Sequence, residues 1–431
     1  MRQDRCNSGR PWGRGRAAAT SRCQTRRAIA ASLQPPCNTE HAMTFRSPVL
    51  RDLFHCLVSF AASLTVSLVA SLPAAAADNS GSKPPIVLGL TGELSGLAVG
   101  VEGLQGATAY FDSVNKRGGL FGRLIELKAY DDGRDIKRVV QNTQKLIAED
   151  RVFALFGYRS TPSLEAAIPI LSKEGVPMIA PYSGAQSVRS PHNPMVFHLR
   201  ASYQQEATKL IDHLATEGVR RIAVFYQDDP FGKDALSGME QALKKAGLAA
   251  IAQATYDRKT LNIEAAVKAI AASAPDAVVM ACTPSACADF IKQMNAAGRR
   301  PQFLLLSNVN SNEFVKSLGD LGRGVVMSQV VPYPWSNTIP LAREYQQVLK
   351  DGGNKVPVSY ASFEGFIAAK LVVNALRSAG SDPTRAGLIA ALERMDDVDL
   401  GGMRVHFSNK NHNGSSFVDL TLVSLSGTYI H

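Results

Sequence analysis

The sequence is short of residues that do chemistry. Six histidines follow Ala77: His192, His198, His213, His406, His412 and His431. They are scattered, as surface or core residues would be, so no clustered metal site is indicated. No GxSxG, HExxH or Walker A loop occurs, which argues against the hydrolases, metalloproteases and nucleotide-driven machines that need them. GLTGELSG at 89–96 is not GxGxxG, and the acids Asp131 and Asp132 follow too far on to hold a ribose, so no cofactor is expected. Repeats of solenoid length are absent. A net charge of +10 suggests nucleic acid until its distribution is read: residues 1–77 hold 10 of the 47 basic residues and 3 of the 37 acidic ones. The remainder has 37 basic and 34 acidic residues and no long basic run, so neither nucleic acid nor an acidic membrane surface is implied.

What is present is an alternation. Short apolar runs at Ile86–Leu90, Leu124–Tyr130, Phe153–Gly157, Met178–Ala180, Ile222–Tyr226, Ala277–Ala281 and Phe303–Leu306 read as strands, each followed by a helix-length stretch. That pattern predicts an α/β protein with parallel sheets covered by helices, and places function in the turns after the strands. Ahead of it, Arg46 and Arg51, an apolar run from Leu53 to Leu72, then Pro73 and the alanines before Asp78 have the form of a secretory signal over residues 43–77. Met43 is then the expected start, residues 1–42 an extension outside the functional protein, and the periplasm the destination; an uncleaved membrane anchor is the alternative. Cys56 lies too early in the apolar run for lipoprotein cleavage. Beyond the signal only Cys282 and Cys287 remain, which can pair in an oxidising compartment or stay as two buried thiols.

A first lobe is expected over residues 85–201 with about 333–400, and a second over 202–332 with about 401–431. A strand at 324–331 meets the bend at Pro332 and Pro334, helices follow at 341–350, 360–379 and 383–395, and strands close the chain at 403–407, 417–424 and 428–430. GLTGELSG, NKRGGLFGRLIEL, YDDG, LFGYRSTPS, GVPMIAPYSGAQ and FYQDDPFGKD, in this order and spacing, resemble the type I periplasmic solute-binding proteins of the branched-chain amino acid class, the soluble receptors of ABC importers. The resemblance covers 85–431. It implies two Rossmann-like lobes joined by a multi-strand hinge, no enzymatic activity, a small-molecule ligand in the cleft and a membrane permease as partner. The same fold serving as a sensor for a signalling partner is the alternative.

Ser160 and Thr161 precede a helix from Pro162, where free amides and two hydroxyls suit a carboxylate; the resemblance points to the same turn, and a plain helix cap is the other reading. Tyr182, Ser183, Gly184 and Ala185 form a second polar turn, which in the family contacts the ligand's amino-acid head. Phe231 falls where the family carries an aromatic cover. Asp228 and Asp229 can meet an ammonium or favour a helix dipole. Two departures stand out. Ser307 and Asn308 occupy the place where close family members hold the ammonium with an acid, and Thr283, Pro284 and Ser285 stand where a Tyr is common. The expected ligand is a small carboxylate-bearing solute, an amino acid or a related compound; because a lone buried ammonium is costly, one without an α-ammonium is the reading these departures favour, with Ser307 or Asn308 as polar contacts and Arg159 as a further anion contact.

Overall fold

The computed structural model describes residues 83–94, 98–424 and 426–431. The expected signal segment 43–77, with Met43 and Cys56, lies outside the described residues.

Apolar strand runs separated by amphipathic helices give parallel pairing, because a strand that follows a helix re-enters the sheet in the same direction. The first sheet holds β1 (Ile86–Gly92), β2 (Ile125–Asp131), β3 (Ala154–Phe156), β4 (Met178–Ile179) and β5 (Val196–Phe197), in the order β2-β1-β3-β4-β5 and parallel throughout. Between them run α1 (Ala98–Lys116), α2 (Ile136–Ala148) and α3 (Thr161–Glu174). After α4 (Tyr203–Thr216) a second sheet is built from β6 (Ile222–Gln227), α5 (Pro230–Lys245), β7 (Ala252–Tyr256), α6 (Glu264–Ser273), β8 (Ala277–Ala281), α7 (Pro284–Ala296), β9 (Gln302–Leu305), α8 (Asn312–Leu318) and β10 (Val326–Gln329). The chain continues through α9 (Pro340–Asp351), α10 (Tyr360–Ala379) and α11 (Arg385–Glu393), a small hairpin of β11 (Val398–Asp399) and β12 (Arg404–Val405), then β13 (Asp419–Val423) and β14 (Tyr429–Ile430).

The second sheet runs β14-β13-β10-β9-β8-β6-β7. The five strands β10, β9, β8, β6 and β7 are parallel, but β13 pairs antiparallel with β10 and β14 with β13, so the sheet is mixed at one edge. β5 and β7 are strands that the apolar pattern does not announce. Both are sheet edges: β5 is two residues long, and AQATY in β7 buries only Tyr256. Central β8, buried at every position, shows the continuous apolar run expected of a strand covered on both faces.

The chain passes between the halves at 198–202, after β10, and before β13. α10 packs on α1 beside the first sheet, while β13 and β14 complete the second. Glycine permits the α1–α10 contact. A Cβ on Gly106 would stand 1.8 Å from the carbonyl oxygen of Ser362, and one on Gly365 1.9 Å from that of Gly103. Side-chain caps fix the helix starts: Asp135 accepts from the Lys137 amide, Ser202 and Gln205 form a capping box on α4, and Ser359 accepts from the Ser362 amide. Cys282 and Cys287 form a disulfide, with Cα atoms 5.6 Å apart and both residues fully buried; the alternative of two separate thiols is set aside.

Candidate functional site

Parallel pairing brings the carboxyl ends of the first-sheet strands into a row. Gly92 is opposite Asp131, Gly89 opposite Leu155, Phe156 opposite Ile179 and Ile179 opposite Phe197. Carried past the strand ends, these registers align Asp132, Glu93, Arg159, Tyr182 and Arg200, and the backbones of Arg159 and Tyr182 do form a bridge. All five line one cleft, which holds about 650 Å³ counted to its open mouth. The second half faces them with Gln227 at the end of β6, Asp229 and Phe231 at the start of α5, Arg258 after β7, Thr283 and Pro284 at the start of α7, and Asn308 after β9.

The halves touch across this cleft. An Arg159 Nη2 donates to the Asn308 carbonyl at 3.2 Å. Beyond the lining, the amides of Gln186 and Ser187 donate to Asp234 Oδ2 on α5 at 2.8 and 3.3 Å.

Most cleft charges are paired. Arg258 lies 3.3 Å from Asp229, and Arg134 lies 3.8 Å from Glu93. Asp229 also accepts from the Gly232 amide at 3.1 Å and from Gln227 Nε2 at 2.5 Å, so capping α5 occupies it. Asp228 instead pairs with Lys233 on the surface at 2.9 Å. Arg200 stands 3.5 Å from Glu364 of α10 and 3.8 Å from Glu206 of α4, and also donates to the Ser307 hydroxyl. Burial opposes its charge, but Glu364 and Glu206 more than offset this and hold the guanidinium above its ordinary value. Glu206 Oε2 accepts in turn from the Ser307 amide at 2.8 Å and the Ser328 hydroxyl at 2.7 Å.

Arg159 is different: among the described residues no carboxylate lies within ion-pair distance of it. Burial, together with the nearby Arg200 charge, pulls its pKa down, the response of a cation short of a counterion. Ser160 and Ser163 at the start of α3 stand beside it in the cleft, their hydroxyls 2.9 Å apart. Ser160 has φ +78°, a strained conformation for a residue with a side chain, and its Oγ accepts from the Ser163 amide at 3.4 Å, so cleft lining and helix capping coexist. The Tyr182 hydroxyl and Asn308 Oδ1 are buried without a hydrogen-bond partner among the described residues.

Of the residues singled out from sequence, Arg159, Ser160, Tyr182, Asp229, Phe231, Thr283, Pro284 and Asn308 line the cleft, while Asp228 and Ser285 are not among its lining residues. Thr161, Ser183, Gly184, Ala185 and Ser307 stand behind its wall. The hydroxyls of Thr161 and Ser183 are 2.8 Å apart, Ser183 Oγ accepts from the Ala185 amide at 3.2 Å, and Gly184 packs under Tyr203, whose amide donates to its carbonyl at 2.8 Å. Sequence reasoning missed Glu93, Arg134, Arg200 and Arg258 as lining residues and weighed Asp132 only against nucleotide binding. Counting register past the ends of β1 and β2 would have found Glu93 and Asp132. Arg200 follows an edge strand too short to see.

Two sheets of this kind, with their strand-end turns around a polar cleft, define a solute-binding protein of the type I periplasmic architecture. The family described as periplasmic binding protein matches residues 85–426, and the chain belongs to it. A substrate-binding periplasmic protein from Ralstonia solanacearum is 35% identical, with a TM-score of 0.76 over 80% of this chain and 99% of that one. A possible leucine/isoleucine/valine-binding protein from Rhodopirellula baltica is 29% identical, with a TM-score of 0.76 over 81% and 97%. A Leu/Ile/Val-binding protein homolog from Brucella suis is 23% identical over 332 residues, 73% of this chain and 81% of that protein. These are solute-binding proteins, not enzymes.

Proposed function

We propose that the protein is the extracytoplasmic receptor of an ABC importer, which captures a small carboxylate-bearing solute between its halves and presents it to a membrane permease. The observation that carries the carboxylate is Arg159, a guanidinium with no acidic partner among the described residues, set beside the hydroxyls of Ser160 and Ser163. Closure on the ligand follows from contacts contributed by both halves, with 85–201 and about 333–400 moving as one lobe against 202–332 and about 401–431. The packing of α10 on α1 and the pairing of β13 with β10 support that division. Phe231, buried against Tyr203 with ring centroids 5.2 Å apart, serves as an apolar wall. Ser183, Ala185 and Ser307 act from behind by holding the lining in place. Residues 43–77 direct export to the periplasm.

The test is a thermal-shift screen of amino acids and organic acids, in which a ligand at 100 times its dissociation constant adds about 2.7 kcal/mol. A carboxylate should raise the melting temperature, and Arg159→Met should abolish the rise while leaving the unliganded protein folded. A stabilising ligand without a carboxylate, or one indifferent to Arg159→Met, refutes the reading.

A further inference from the structure

Once the paired charges are set aside, two remain in the cleft lining, and they have opposite signs. Arg159 is one. The other is Asp132, 2% exposed, with no Lys, Arg or His within ion-pair distance among the described residues. Among the described residues its carboxylate accepts from the Arg134 amide at 2.9 Å and from the Thr91 hydroxyl at a long 3.5 Å. Burial therefore pushes its pKa up, with the Arg134 amide pulling back. The strand order β2-β1-β3 puts the two charges on strands two places apart, a backbone separation of roughly 10 Å at ordinary strand spacing. Between them, Glu93 is held by Arg134.

We infer that the solute carries a protonated amine at the end remote from its carboxylate, with the carboxylate on Arg159 and the amine on Asp132. Two side-chain charges rooted that far apart, with the Arg134-held Glu93 between them, suit an ω-amino carboxylate better than an α-amino acid, whose two charges share one carbon. This also accounts for Ser307 and Asn308 standing where an acid would face an α-ammonium, since the acid that meets the amine is on the first sheet. The inference rests on the carboxylate reading of the preceding section.

Calorimetry with γ-aminobutyrate, δ-aminovalerate, ε-aminocaproate, valerate and leucine tests it, on the unaltered protein and on Asp132→Asn and Arg159→Met. At least one of the ω-amino acids should bind about tenfold or more tighter than valerate and leucine, the scale of one buried charge-assisted hydrogen bond. Asp132→Asn should remove that advantage, bringing the ω-amino acids level with valerate. Leucine binding tightest overturns the inference, as does a failure of all three ω-amino acids to bind tighter than valerate in the unaltered protein, a comparison that needs no variant to fold. If Arg159→Met abolishes valerate binding while Asp132→Asn leaves the preference unchanged, the carboxylate reading stands and this inference falls. If no carboxylate binds, both fall.

Discussion

Gly106 sets two physical effects against each other with opposite signs. On intrinsic propensity alone, Gly106→Ala in the middle of a 19-residue helix should stabilise the protein by about 1 kcal/mol. The structure puts the new methyl 1.8 Å from the Ser362 carbonyl oxygen, 2.6 Å from its carbonyl carbon and 2.8 Å from its Cα. A carbon–oxygen contact needs roughly 3.3 Å, so α1 and α10 would have to part by about 1.5 Å. The obstacle is backbone on a helix buried along most of its length, with no rotamer to yield. Overpacking of this kind costs about 1–3 kcal/mol, and more where backbone must shift. Packing therefore outweighs propensity, and at about 2–4 °C per kcal/mol the melting temperature should fall by several degrees. Thermal unfolding followed by circular dichroism measures it. Thr108→Ala, on the exposed side of the same helix, is the control and should stabilise the protein by about half a kcal/mol, the propensity gain alone. A melting temperature that is unchanged or higher in Gly106→Ala would refute the packing argument.

Asp234→Ala removes the carboxylate that accepts from the Gln186 and Ser187 amides across the halves; ligand affinity by calorimetry should drop about fivefold although Asp234 does not line the cleft, and an unchanged affinity would show that the contact plays no part in closure. His198 is buried, and burial first, then the Arg189 charge, hold its pKa well below the ordinary 6.5. Stability is therefore intact above 6.5 and lost as pH falls below it, because only the unfolded chain takes the proton; the loss between pH 7 and 5 in urea titrations should be smaller in His198→Asn, and equal losses would exclude His198 as the cause. The Cys282–Cys287 bridge closes a loop of sequence separation 5, which corresponds to about 2 kcal/mol; the double serine variant should melt several degrees lower, and no change would mean the bridge leaves the unfolded chain unconstrained.

The central strands were legible because strands covered on both faces must be apolar throughout, as in β8. The edge strands β5 and β7 carry no such demand, so the pattern passes over them. In the cleft, Ser160 was legible because a hydroxyl ahead of Pro162 marks a helix start, and Arg159 because it adjoins that turn. The Arg200 cluster was not, since Glu206, Ser307 and Glu364 come from α4, the turn after β9 and α10, and no local pattern joins residues so far apart. Thr161, Ser183 and Ser307 have the right chemistry for a ligand, but their hydroxyls face one another or Arg200, an orientation that residue type does not record.

The glycine contact between α1 and α10 also bears on the order in which the protein is made. The first sheet is complete in sequence by Phe197, yet the helix pressed on α1 ends only at Ala379. A nascent chain therefore has its early strands long before the helix that covers them, and contacts of such sequence separation form late. The second sheet waits as well, for β13 and β14. Neither half has all its elements until α10 and β13 exist, so the packing of both is completed only by the last third of the chain.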